Sequence, residues 1–132
     1  MMSQAIDNKR KKIETLKKRS DFLRVAETRK KWISPAIILQ VAKQKDNVSD
    51  KIRVGYTASK KVGNAVLRNR AKRRMREAAQ LVMSENGVKN HDYVLIARKE
   101  ITERPYIELI RDLKWSLKRL HVEPDDKRTN DR

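Results

Sequence analysis

Between Ser59 and Arg76 the chain reads SKKVGNAVLRNRAKRRMR, and from Lys60 onward this stretch holds eight Lys or Arg and no acid. Side chains of this kind at this density bind polyanions. The lysine ammonium is a compact point charge, whereas the arginine guanidinium is a planar fork that matches phosphate oxygens and stacks on bases. On an ordinary solvated helix, acids one turn away relieve the repulsion between such cations. None is present here, so the segment reads as a docking face and not as indifferent surface.

Helical geometry sharpens this reading. Leu67, Ala71, Met75, Ala78 and Val82 form one apolar stripe. With the stripe centred on Ala71 and about 100° per residue, Asn69 and Arg73 point almost directly away from the core. Lys72 and Arg76 fall on the wet side, and Arg70 lies between Arg74 and the outward pole. Arg68 and Arg74 sit at the two borders, where their stems can cover apolar surface. Asn69, a neutral amide among arginines, points to a directional contact. Gly63-Asn64 opens the helix, and its backbone N–H groups are expected to form an anion site next to Lys60 and Lys61.

Other chemistry finds little support. The chain has no cysteine, which excludes disulfides, thiol chemistry and cysteine-ligated zinc. His91 and His121 have no acid-and-nucleophile arrangement around them. Glu77, Glu85, Asp92, Glu100, Glu103, Glu108 and Asp112 are scattered; Glu108 and Asp112 are one turn apart but lie among Arg111, Lys114 and Lys118. A nuclease working alone needs paired carboxylates for metal, or a general acid and base. No catalytic residue and no metal site within the protein alone is therefore assigned.

The whole chain agrees with its basic segment. It has 132 residues, a one-domain length, with 34 Lys+Arg against 17 Asp+Glu and a net charge of +17. Such a protein repels itself, and nucleic acid is the natural partner. No apolar run approaches the ~18 residues that span a bilayer, and the polar, lysine-rich N-terminus does not resemble a signal peptide, so a cytoplasmic protein without a membrane partner is expected.

The elements that position the basic helix are legible in outline. Residues 1–15 read as a basic, disordered tail, 16–121 as the single domain and 122–132 as a charged, disordered tail. Ser20-Asp21 starts a short helix to about Thr28. Ala36–Ala42 and Lys51–Ala58 read as strands, and their short connection predicts a hairpin between them. The basic helix runs from Gly63-Asn64 to Asn86-Gly87, followed by a strand over Asp92–Arg98. A last helix over Thr102–His121 carries the stripe Tyr106, Ile110, Leu113, Leu117 and Leu120. Tyr106 and Trp115 are expected to pack, and Trp32 is either rim or stacking platform. Strands interleaved with helices give an α+β fold, a small mixed sheet with helices packed on it in the order α-β-β(-β)-α-β-α.

Arg53-Val54-Gly55-Tyr56, then Ser59-Lys60-Lys61-Val62-Gly63-Asn64-Ala65-Val66, then Arg68-Asn69-Arg70-Ala71-Lys72-Arg73, resemble the signature of the ribonuclease P protein family, including its RNR motif. Ser20–Val25 and Asp92–Lys99 resemble the family's N-terminal helix and the strand after the signature helix. The resemblance implies an α/β sandwich with a left-handed β-α-β crossover. It also implies a protein, one per RNA and itself monomeric, that binds a catalytic RNA and the 5′ leader of precursor tRNA, while the RNA performs the hydrolysis with Mg²⁺. Carried onto this sequence, it assigns Lys60, Lys61, Asn64, Arg68, Asn69, Arg70, Lys72, Arg73 and, by continuity of the face, Arg76 to RNA binding. Phe22 falls in the leader cleft. The family often places a second aromatic one turn later, where this chain has Ala26, and another on the first strand, where it has none. Tyr56 and Trp32 are the aromatics expected to compensate. The competing functions are a ribosomal or other structural RNA-binding protein and a DNA-binding helix module. The signature's order disfavours the first. The strands flanking the basic helix disfavour the second, which would need a helix-turn-helix partner or a zipper.

Overall fold

A computed structural model describes residues 11–45 and 50–121; the expected tail at 122–132 and most of that at 1–15 lie outside the described residues. The elements are β1 (Ile13–Thr15), α1 (Arg19–Glu27), β2 (Lys31–Ile33), β3 (Ile37–Lys43), β4 (Ile52–Thr57), α2 (Ala65–Asn86), β5 (His91–Ala97), a 3-10 turn (Lys99–Thr102) and α3 (Tyr106–Leu120). The strands form one mixed sheet in the order β1-β4-β5-β3-β2.

Strand alternation divides the side chains between the two faces. On one face Ile52 and Val54 of β4, Leu39 and Val41 of β3, and Tyr93 and Leu95 of β5 are buried with Ala71, Met75 and Val82 of α2 and Leu109, Leu113 and Leu117 of α3. On the other face Leu16, Val25, Ala42 and Val94 form a smaller core, with Phe22 and Ile96 packed against it. The molecule is thus two helices, a sheet and one short helix, as expected for the α+β class.

The predicted hairpin does not form. β5 lies between β3 and β4, antiparallel to the first and parallel to the second. The physical reason is apolarity on both sides: Tyr93, Val94 and Leu95 are all at most 2 % exposed, and a strand buried on both faces belongs in the middle of a sheet. The unit β4-α2-β5 therefore joins adjacent parallel strands through the basic helix.

Residues 11–15 are also not tail. β1 pairs in parallel with β4, matching Ile13 to Ile52. The backbone N–H of Ile52 donates to Lys12 O at 3.0 Å, and that of Leu16 to Val54 O at 2.9 Å. β1 satisfies the free edge of β4, and it is too short for periodicity to announce it.

In the last helix, Pro105 precedes the first turn and Tyr106 is its first residue. The buried residues are Leu109, Leu113, Ser116, Leu117 and Leu120. The expected stripe was therefore one position out of phase at its start. Tyr106 (41 %) and Trp115 (51 %) are exposed and do not pack as expected.

At the end of this helix the Tyr93 hydroxyl and His121 Nε2 are hydrogen-bonded at 2.7 Å, and the Val88 N–H donates to the same hydroxyl at 3.0 Å. With that hydroxyl accepting from Val88, its own proton goes to an unprotonated Nε2. Burial, with smaller contributions from His91 and Lys30, pushes His121 down to about 4. The unfolded chain takes up the proton near the ordinary value of about 6.5 and the folded chain resists, so stability falls as pH drops from about 6.5 toward 4. Urea unfolding at pH 7 and pH 5.5 is expected to show a lower midpoint at pH 5.5, and His121→Gln a smaller difference. An equal difference in both proteins would exclude His121 as the source.

Candidate nucleic-acid interface

The turn before α2 is built by its own backbone. The Val62 N–H donates to Ser59 O at 3.0 Å and the Gly63 N–H to Lys60 O at 3.1 Å. Gly63 adopts φ +145°, and a Cβ there would stand 2.5 Å from Leu67 Cδ1, so only glycine lets the chain enter the helix at this angle. Asn64 is the N-cap, its Oδ1 accepting from the Leu67 N–H at 3.0 Å. The anion site expected at Gly63-Asn64 is therefore already partly occupied by the protein's own acceptors. Lys60, Lys61 and Asn64 stay exposed at the turn.

The helix then behaves as its stripe demands. Ala71, Met75 and Ala78 are fully buried, while Asn69, Arg70, Arg73 and Arg76 are exposed and Lys72 is half-buried. Among the described residues none of these cations forms an ion pair within the protein. Two arginines depart from a purely outward role. Arg68 donates from Nη1 to Gly63 O at 2.9 Å and so helps close the turn. Arg74 donates to Ile101 O, and to Arg104 O at 2.6 Å, tying α2 to the segment before α3.

Phe22 occupies the opposite face of the sheet. It lies over Gly55, where a Cβ would come 2.5 Å from Phe22 Cζ, so the glycine makes room for the ring. Of the six aromatics in the sequence, Phe22 is the one on this face. Tyr56 and Trp32 do not join it. Tyr56 shares the parity of Ile52 and Val54 and packs beneath α2, where burial pushes its phenol up to about 12 against the nearby Arg76. Trp32 is paired with Leu39 and packs against the larger core. Both were expected in the leader cleft, and strand parity places both on the wrong side of the sheet.

The Phe22 face carries an open cleft of about 750 Å³ lined by Ile38, Ser59, Lys61, Ile96, Arg98 and Lys99 among others. Ile96 belongs both to this floor and to the cluster around Phe22. Lys61 and Ser59 link the cleft to the turn before α2. Arg98 and Lys99 were not anticipated; a strand ending in Arg-Lys beside a predicted cleft was their signal.

Sequence reading also missed what seats α1 on the sheet. Asp92, fully buried at the edge of an apolar run, receives Arg53 Nε at 2.8 Å and Nη2 at 2.7 Å, and also pairs with Arg24 of α1. Arg24 donates in addition to Lys43 O at 2.8 Å. An acid at the head of the apolar run YVLIA is the signal that announces a buried partner.

Comparison with known proteins follows the same outline. The ribonuclease P family profile matches residues 11–121. The chain belongs to the ribonuclease P protein family. The ribonuclease P protein component of Paramagnetospirillum magneticum is 52% identical over 111 residues, covering 83% of this chain and 84% of its own. That of Ruegeria pomeroyi is 49% identical over 111 residues, covering 83% and 88%. The solved ribonuclease P protein of Thermotoga maritima superposes with a TM-score of 0.68 at 28% identity, covering 83% of this chain and 98% of that one. Members of this family are the protein part of a ribonuclease that also contains an RNA subunit, and their general function is processing of tRNA 5′ ends. Among the described residues no helix is long and apolar enough to cross a membrane.

Proposed function

We propose that this chain is a non-catalytic subunit that grips the catalytic RNA through the outward face of α2 and guides the 5′ leader of precursor tRNA along the cleft on the sheet face that carries Phe22. The observation that carries this reading is the unpaired cationic face of Asn69, Arg70, Arg73 and Arg76, exposed on a helix whose other side is anchored in the core. Lys60 and Lys61 extend that face around the turn, and Lys61 hands it on to the cleft. The chain's cations screen the repulsion between two RNAs, while the RNA and its Mg²⁺ perform the hydrolysis. Among the described residues there is no group of three or more metal-ligating side chains. One protein per RNA, as a monomer, suffices for this role.

The direct test is precursor-tRNA cleavage in dilute Mg²⁺ by the RNA alone and with added protein. Strong stimulation is expected, and its absence would overturn the proposal. Leader contact has its own measurement. One stacked base is worth ~1–3 kcal/mol, so Phe22→Ala is expected to weaken binding of leader-bearing substrate by about 5- to 150-fold. Equal losses with leaderless tRNA would instead mark Phe22 as a packing residue only.

A further inference from the structure

Both tryptophans of the chain, Trp32 and Trp115, lie at the β2 edge of the molecule, outside the face and the cleft discussed above. The guanidinium carbon of Arg119 is 5.2 Å from the Trp32 ring centroid and 5.8 Å from that of Trp115. Lys118 Nζ lies 5.8 Å from the Trp115 ring. Trp115 leaves half its surface in water, and Ile107, two turns earlier on the same side of α3, is 69 % exposed.

The surrounding charge is one-sided. The two acids of α3 are both engaged by Arg104, Glu108 at 3.0 Å and Asp112 at 2.9 Å. Arg111, Lys114, Lys118 and Arg119 have no ion pair among the described residues. Arg119 Nε is buried without a hydrogen-bond partner. A large ring half open to water, backed by a guanidinium and ringed by unpaired cations, matches a ligand that offers a flat π surface and negative charge together. An unpaired nucleotide does this: its base stacks on the ring and its phosphates meet the cations.

We infer that Trp115, supported by Arg119 and Trp32, holds an unpaired nucleotide of the catalytic RNA. This contact is separate from the α2 face, and the inference rests on the function proposed above. The catalytic RNA is favoured over the substrate leader by position. α3 packs in the same layer as α2, on the sheet face opposite Phe22, and Arg74 ties α2 to the segment that leads into α3. An RNA spread over α2 reaches α3 without crossing the sheet.

Because both tryptophans lie here, intrinsic emission of the full chain reports on this patch. Titration with the catalytic RNA is expected to quench it in step with binding followed independently by filter retention, and a leader oligonucleotide alone is expected to leave it nearly unchanged. Trp115→Ala is expected to bind the catalytic RNA about ten-fold more weakly, with Trp115→Phe recovering most of the loss. Circular dichroism of both variants should match the parent, since the side chain is half exposed. Arg70→Ala/Arg73→Ala should weaken binding yet preserve the quench at saturation. Emission unchanged at saturating RNA, wild-type affinity in Trp115→Ala, or equal quenching by the leader oligonucleotide would each overturn this inference alone. So would emission that depends on protein concentration without RNA, which would mean that a second copy covers the patch. A wild-type chain that fails to bind the catalytic RNA would overturn this inference and the proposed function together.

Discussion

Asp92→Ala is expected to lower stability by about 3 kcal/mol and the melting temperature by about 10 °C. The carboxylate is fully buried and accepts from Arg53 of β4 and Arg24 of α1. Removing it leaves two guanidinium groups facing each other across an emptied site, and breaking a buried pair from one side costs about 3–5 kcal/mol. The lower end applies because Arg24 and Arg53 keep 23% and 31% of their side chains in water and can turn toward it. Asp21 holds both arginines more loosely, at 3.5 and 3.8 Å, and cannot substitute for Asp92. The damage should be local before it is global. α1 is seated on the sheet by this network and by the small cluster of Leu16, Val25, Ala42 and Val94, so its amides should lose hydrogen-exchange protection ahead of α2. Asp92→Asn should recover only part of the loss, since an amide offers one acceptor and no charge. An unchanged melting temperature in Asp92→Ala would show that the arginines are equally content in water.

The legibility of this molecule in its sequence follows the length of each signal. The basic helix spans six turns with an uninterrupted stripe, and the structure buries Ala71, Met75, Ala78 and Val82 while exposing Asn69 and Arg73. Three-residue strands carry no period, so neither β1 nor β2 announces itself in the sequence. Pairing is a tertiary choice. β3 and β4 are close in sequence, but the doubly apolar β5 gains more by lying between them than either gains from a hairpin. Placement of Tyr56 and Trp32 required the parity of each strand relative to Phe22, a relation that compares three elements and is invisible in any one of them. Arg68 and Arg74 illustrate a further limit: composition counts them with the docking cations, while their hydrogen bonds to Gly63 O, Ile101 O and Arg104 O commit them in part to the fold.

That distinction between docking and structural arginines can be measured. Arg70→Ala/Arg73→Ala is expected to weaken binding of the catalytic RNA about 30-fold at 0.1 M salt and to reduce the slope of log K against log salt by roughly 1.4–1.8. Each phosphate contact contributes about 0.7–0.9 to that slope, which at 0.1 M salt equals the same number of decades in affinity. Both side chains are exposed and form no ion pair among the described residues, on a face where cations far outnumber its one nearby acid, Glu77. Their removal therefore relieves repulsion in the free protein, and its melting temperature should hold or rise. Arg→Lys at both positions keeps the charge and loses the fork, so the slope should persist while affinity falls modestly. Arg74→Ala should behave in the opposite way. It leaves two carbonyl oxygens between α2 and α3 without their donor, so the melting temperature should drop while the slope barely moves. If the double variant lost stability and kept its slope, the outward face of α2 would be packing surface after all, and the RNA would have to be held elsewhere.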